Sequence, residues 1–451
     1  MKKIPEKFQA IIDEIQDQYH FSDESNRPWI IGFSGGKDST VLLTLVWMAI
    51  SKLKETVPGF SFKRDVYVVC NDTLVENPVI TDYVDDVLIY IERAAVDQGL
   101  PIFVKKTTPK IEETFWINVI GKGYPLPNST FRWCTDRLKI RPTSSFLRSQ
   151  IDEKGEAVVL LGTRYSESRT RERSIRKHES KTKRLSAHPQ YPNAMTFSPI
   201  KTLELEEVWY LINAFDSPWG FDNSMLFKIY SDASADDYEC PTVVTTKEHT
   251  SCGQSRFGCW TCTVVKKDKS MSALINNGQE WLYPLLKLRN DLQEERNVSK
   301  NRSGKRRNGQ LAINEEGMNQ GNYNPEYRYS ILKRLLEAQK KVQKEKPELN
   351  LITHQELIAI QVLWNRDLFF EKNVSELYKE IYGKNAVAKS LRGVGPLEKR
   401  VLTEECGDDD NMKVMIENLL SIQETKSLLV SNRGLNNDLE KVIESQISIK
   451  Q

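Results

Sequence analysis

The chain has 451 residues, 39% of them hydrophobic and 28% charged, and its 64 Lys and Arg nearly balance 62 Asp and Glu. That length suits two or three domains of a globular protein, and the net charge of +2 says little about partners. No apolar run of about 18 residues occurs, which argues against a membrane span and a membrane partner. Met1-Lys2-Lys3-Ile4-Pro5-Glu6 lacks an apolar signal core, so a cytoplasmic location is expected.

In chain order, the first element is a short apolar strand from Trp29 to Phe33. It runs into Ser34-Gly35-Gly36-Lys37-Asp38-Ser39, and an apolar run of helical length follows from Thr40 to Ile50. Val66-Tyr67-Val68-Val69-Cys70-Asn71-Asp72 reads as a buried parallel strand with a polar end. Residues 79–97 read as a helix, with Val79, Tyr83, Val87, Leu88 and Ile91 on one face. Ala157 to Leu161 reads as a further strand, ending at Gly162-Thr163-Arg164. Residues 203–214 read as an amphipathic helix, and a cysteine-rich stretch follows. Residues 293–325 are rich in Asn, Gly, Lys and Arg and read as a loop or linker. Beyond them Thr353-His354-Gln355-Glu356 has the capping-box pattern of a helix start.

Strands alternating with helices predict an α/β fold with a doubly wound, mostly parallel sheet. The expected division is a nucleotide domain over 1–235, a cysteine-rich segment over 236–290, a flexible polar linker over 291–325 and a helical region over 326–451. In such sheets ligands bind at the carboxyl ends of the strands. The polar ends at Ser34, Asp72 and Gly162 share that edge.

The glycine pair before a helix is an anion site, because glycine lets backbone N–H groups approach a ligand and the helix N-terminus adds free donors and a partial positive charge. It is not a Walker A loop: Ile31 stands where that motif needs glycine, and Asp38 where it needs Ser or Thr. Ser34, Gly35, Gly36, Lys37, Asp38 and Ser39 instead resemble the loop of the ATP pyrophosphatase (PP-loop) family. The resemblance implies cleavage of ATP between its α and β phosphates and passage of AMP to an acceptor. Asn71-Asp72-Thr73, Gly162-Thr163-Arg164-Tyr165-Ser166-Glu167-Ser168, and Ser198-Pro199-Ile200 with Val208-Trp209 resemble, in order, three segments of its phosphoadenylylsulfate-reductase-like branch. Asp72, Gly162 and Arg164 thereby join the candidate nucleotide residues. Lys37 suits the charge developing on departing pyrophosphate. Asp38 suits either orientation of Mg²⁺ or the role of a helix cap. Arg164 suits bidentate phosphate binding.

Seven cysteines, an odd number, argue against a disulfide framework. Cys240, Cys252, Cys259 and Cys262 cluster among turn formers and read as a metal site, for zinc or an iron–sulfur cluster. Cys252 to Val265, with Asp268-Lys269-Ser270-Met271 beyond, is similar to the DndC family of ATP-using sulfurtransferases in bacterial DNA phosphorothioation. So is Gly162 to Arg173. This narrower resemblance implies a [4Fe–4S] cluster. Cys134, in Arg132-Trp133-Cys134-Thr135-Asp136-Arg137-Leu138-Lys139, resembles the site of a paired-cysteine motif in adenylylsulfate reductases, but Trp133 replaces the first cysteine. Cys134 is thus a substitute cluster ligand or a sulfur-carrying catalytic thiol, and the neighbouring cations favour its thiolate. Cys70 reads as a packed strand residue, and Cys406 as structural despite its Glu-Cys-Gly context.

Residues 164–184 carry nine Lys or Arg against three Glu, and Arg296, Lys300, Arg302, Lys305, Arg306 and Arg307 form a second basic run. Arg169, Arg171, Arg173 and Arg176 are the candidate DNA contacts. The resemblance implies an enzyme that uses ATP and Mg²⁺ to adenylate a DNA backbone phosphate, so that sulfur replaces a non-bridging oxygen. A cysteine desulfurase would donate the sulfur, and other phosphorothioation subunits would be partners. The rivals are a phosphoadenylylsulfate or adenylylsulfate reductase, a tRNA thiolation enzyme, and a zinc-stabilised nucleic-acid-binding module without catalysis.

Overall fold

The computed structural model describes residues 3–21, 26–178, 184–233, 258–384, 406 and 409–427. Two compact units emerge, Met1–Pro109 with Pro127–Glu280, and Lys110–Leu126 with Trp281–Gln451.

The first unit is built on a six-stranded sheet. Its strands are β1 (Trp29–Gly32), β2 (Val66–Asn71), β3 (Ile102–Thr107), β4 (Ala157–Leu160), β5 (Ser186–Ala187) and β6 (Ala194–Phe197). Their order is β3-β2-β1-β4-β6-β5. All neighbours pair in parallel except the short edge strand β5, which is antiparallel to β6. The mostly parallel, doubly wound sheet expected from the sequence is therefore present. Strand order reverses at β1, between β2 and β4, and a ligand crevice opens outside the carboxyl ends at such a reversal.

β1 and β4 are buried along their whole lengths, which is why they read as unbroken apolar runs. One sheet face gathers Ile30, Val69, Val159 and Ala194 around Leu147. Leu147 lies on α4 (Arg141–Lys154). On the alternate positions, Trp29 meets the rings of Tyr19 and Phe197 at 5.1 and 6.0 Å. Here α2 (Lys37–Thr56) packs on α1 (Glu6–Gln16) and α6 (Leu205–Ala214). α3 (Pro78–Asp97) starts where it does because Asn77 accepts a hydrogen bond from the Val79 N–H at 3.1 Å and Pro78 needs no partner for its nitrogen. No side chain caps α2, whose N-cap is Gly36.

The second unit holds helices over Tyr283–Glu295, Pro325–Val342, His354–Arg366, Val374–Tyr382 and Asp410–Ser427. The capping box at Thr353 forms, with the Glu356 N–H donating to Thr353 Oγ1 at 3.2 Å. Residues 110–126, which lie between β3 and β4 in sequence, belong to this unit. The Trp116 and Trp364 indoles donate to Leu351 O and Ile120 O at 2.8 and 2.9 Å, and Arg328 donates to the carbonyls of Ile120 and Gly121. Composition reads 291–325 as a linker, yet from Arg302 to Tyr323 the backbone closes in antiparallel pairs. The reason is close approach: a Cβ on Gly321 would lie 2.1 Å from Lys305 O, so only glycine lets these segments meet.

Candidate nucleotide and thiol site

The loop after β1 turns through Gly35 at φ +72°, where a Cβ would come within 2.5 Å of Val84 Cγ2 on α3. Ser39 Oγ donates to Gly36 O at 2.9 Å and accepts from the Ser34 N–H at 3.3 Å, which cross-braces the turn. Lys37, Asp38 and Ser39 open α2 and are all buried. The Lys37 N–H faces Tyr230 Oη at 3.4 Å, and the Lys37 ammonium lies 5.5 Å from that ring.

Two cations hold the Asp38 carboxylate. Lys37 Nζ is 3.2 Å from Oδ2, and Arg164 Nε donates to Oδ1 at 2.5 Å. Arg164 comes from the loop after β4 and is 2% exposed. Its Nη1 also donates to Ser166 Oγ at 2.8 Å. Gly162 makes this meeting possible, because a Cβ there would lie 3.2 Å from Asp38 O. Three buried charges in one cluster are tolerable only because each is paired, so an unpaired member would be strongly unfavourable. Of Asp38's two sequence-stated roles, the cap is not the one adopted: its carboxylate turns to the cations.

The loop after β2 is held differently. Asp72 accepts from the Leu74 N–H at 2.8 Å and lies 3.2 Å from Lys106 Nζ. It shapes a turn in which Leu74 takes φ +64°, unusual for a side-chain-bearing residue. Glu76 in this loop pairs its backbone with Cys259, and the Trp260 N–H donates to Val75 O at 2.9 Å. The Cys259 thiol sits 3.4 Å from Thr73 Oγ1 and donates to Glu76 Oε1 at 3.9 Å. Lys139 Nζ is 3.8 Å from the same oxygen. Burial, and then the Glu76 carboxylate, push the Cys259 thiol well above its ordinary range, and the Cys134 sulfur adds to the shift. The Cys262 N–H donates to Cys259 O at 3.0 Å, which puts both cysteines on one tight turn.

Cys134 stands at the head of a wide helical turn, Thr135–Ile140, that continues directly into α4. Such widened turns recur at functional sites. Cys240 and Cys252 lie outside the described residues. Among the described residues no group of three or more His, Cys, Asp or Glu is placed to hold a metal ion. Cys259, Cys262 and Cys134 offer soft sulfur donors, which as thiolates would suit iron–sulfur or zinc. Cys70 is buried in β2, where burial pushes its thiol up to about 12, as a packed cysteine should be.

The arginine run forms α5 (Arg169–His178). Arg171 donates to Glu167 at 2.9 Å and Arg176 to Glu172 at 2.9 Å, with the Arg176 guanidinium 4.7 Å from the Tyr165 ring. Arg169 and Arg173 are exposed. Glu167 also accepts from the Arg164 N–H at 2.9 Å. Burial raises its carboxyl, against the pull of Arg171. Tyr230, on α7 (Asn223–Ala233), carried no motif and joins the site through the tertiary fold.

Residues 28–265, more than half of the chain, match the family model described as the phosphoadenosine phosphosulfate reductase domain. An uncharacterized protein of Methanocaldococcus jannaschii is 29% identical over 158 residues, 35% of this chain and 27% of that protein. The chain thus spans about a quarter of that relative's length. Among solved structures, the Candida glabrata FMN adenylyltransferase is 12% identical, with a TM-score of 0.28 over 47% of this chain and 61% of that one. The U34-tRNA thiolase NcsA of Methanococcus maripaludis, solved with its [4Fe–4S] cluster, is 12% identical, with a TM-score of 0.29 over 64% and 80%. No described helix is long and apolar enough to cross a membrane.

Proposed function

The chain belongs to the phosphoadenosine phosphosulfate reductase domain family, and on that premise we propose that it is an ATP-dependent sulfurtransferase acting on DNA, of the DndC type. The observation that carries this reading is the buried Lys37–Asp38–Arg164 cluster at the uncapped start of α2, beside the reversal of strand order. The backbone amides of that helix start and two cations there suit a polyphosphate. Asp38 already occupies the cations with a carboxylate. When a triphosphate takes its place, Asp38 becomes available to orient Mg²⁺, a hard cation that binds carboxylate and phosphate oxygens.

In this reading a non-bridging oxygen of a DNA phosphate attacks the α-phosphorus of ATP. A P–O bond forms, the α–β linkage breaks, and pyrophosphate leaves with its charge met by Lys37 and Arg164. The terminal sulfur of a persulfide, supplied by a cysteine desulfurase and carried on Cys134, then attacks the DNA phosphorus. AMP departs with the original oxygen, and a thiol reductant splits the S–S bond to leave sulfur on phosphorus. Adenylation is needed because oxide is a poor leaving group. The exposed Arg169 and Arg173, on the helix that follows the Arg164 loop, support a polyanionic acceptor. With Cys134 carrying sulfur, Cys259 and Cys262 would hold a [4Fe–4S] cluster or zinc, and the undescribed Cys240 and Cys252 would complete the set. A cluster there would supply thiophilic iron.

The test is an anaerobic assay of α-labelled ATP with and without duplex DNA. AMP and pyrophosphate are expected, with a loss of about 100-fold or more in Lys37→Ala and unchanged circular dichroism. ADP and orthophosphate as sole products would sink the reading. Sulfite release from phosphoadenylylsulfate, or thiolated tRNA, would replace the acceptor.

A further inference from the structure

The second basic run has a shape that composition does not convey. From Arg302 to Tyr323 three short segments pair antiparallel at Arg302 with Tyr323, Lys305 with Leu311, and Ile313 with Asn319. The Ala312 N–H donates to Gly304 O at 2.8 Å, Arg306 N–H to Gln310 O at 2.8 Å, and Gly321 N–H to Ser303 O at 2.9 Å. The ribbon turns at Arg306-Arg307-Asn308-Gly309, with Gly309 at φ +83°. Every residue from Lys305 to Leu311 is exposed, Leu311 by 75% and, further on, Ile313 by 52%.

Its charges are sorted. Six Lys and Arg, and no Asp or Glu, lie between Arg296 and Ile313. Arg302 donates to Gly321 O at 2.9 Å within the ribbon, and Arg307 reaches Asp367 at 3.4 Å, which fastens the ribbon to its own unit. Among the described residues, no ion pair involves Lys305 or Arg306. The other turn, Asn314 to Gly317, presents exposed Glu315 and Glu316, so the ribbon has one cationic end and one anionic end.

We propose that this ribbon is a second DNA contact, which lays its exposed Lys305–Leu311 hairpin against the major groove. Where Lys305 pairs with Leu311 the hairpin is two-stranded, and a two-stranded ribbon fits the groove, which is roughly 12 Å wide. Lys305 and Arg306 meet the phosphates on its walls, and Leu311 presents an apolar surface to the base edges, where thymine methyls lie. The acidic turn is repelled by the same phosphates and fixes which end goes in. This inference rests on the reading of DNA as acceptor, and names a surface for it apart from α5.

The test is fluorescence anisotropy with a labelled duplex of about 20 base pairs, titrated across roughly 50–300 mM NaCl. In Lys305→Ala/Arg306→Ala the slope of log affinity against log salt should shrink by about 1.8, two phosphate contacts' worth. Leu311→Ser should weaken duplex binding severalfold with the slope unchanged. Equal slopes for wild type and double variant would overturn the proposal. So would an equal loss on a single strand of the same sequence, because no groove is present there. The urea-unfolding midpoint should be the same in wild type and double variant; a fall would mean that these side chains serve the fold. If wild type given ATP and duplex DNA releases no pyrophosphate while the salt slopes behave as stated, the catalytic reading fails and the contact stands.

Discussion

Arg164 and Arg173 lie close together in the chain and solve opposite problems. Arg164 is 2% exposed and bound to a carboxylate at 2.5 Å, whereas Arg173 is exposed on α5. A buried charge must have its partner before any ligand arrives, because desolvation would otherwise exceed what the fold can bear. A surface charge can wait in water, at little cost and with little effect on stability. The loop after β1 is therefore a pre-assembled electrostatic cluster, and the proposed docking role of the arginine helix would depend on salt.

The sharpest way to break this contrast is Arg164→Ala. It strips Asp38 of its shorter partner inside the fold and should cost about 3–5 kcal/mol in urea unfolding. A cost under about 1 kcal/mol would show that the cluster is looser than its geometry implies. A different buried group extends the comparison. His188 is 8% exposed, its Nδ1 accepts from the Gln190 N–H at 3.2 Å, and burial lowers it to about 4. With no counter-charge it stays neutral in the native state, while the unfolded chain takes up a proton near pH 6.5. Stability should thus fall as pH drops from about 6.5 towards 4, by about 2 kcal/mol at pH 5, and His188→Asn should lack that component when both are unfolded at pH 7 and pH 5. The smallest effect belongs to Arg173→Ala. Its stability should change by less than about 0.5 kcal/mol, while the salt slope of DNA binding drops by about 0.9. A large stability loss there would erase the distinction.

The parallel sheet and the glycine turn into α2 were legible because both depend on local signals: unbroken apolar strands, a glycine pair, and a helix start. The family resemblance rested on the same segments. What joined Arg164 to Asp38 was tertiary, since the two are brought together by β1 and β4 lying side by side. The split between Arg171 and Arg176, which answer Glu167 and Glu172, and the outward Arg169 and Arg173 follows helical spacing and was open to reading once α5 was recognised. Tyr230 and the contact of Cys259 with Thr73 and Glu76 gave no advance sign, because neither depends on neighbours in sequence. Composition also misjudged 302–323. Glycine-rich polar sequence commonly signals a linker, and here the glycines serve close backbone approach.

The excursion of residues 110–126 changes how this protein can be dissected. A gene fragment stopped after Glu280 would still encode Trp116, Ile117 and Ile120, and would leave them stranded without the helices that bury them. Such a fragment is prone to clump for reasons unrelated to catalysis. The sheet unit, made alone, needs that detour excised and bridged with a short spacer. By the same logic, a ribosome must release nearly the whole chain before the detour finds its home.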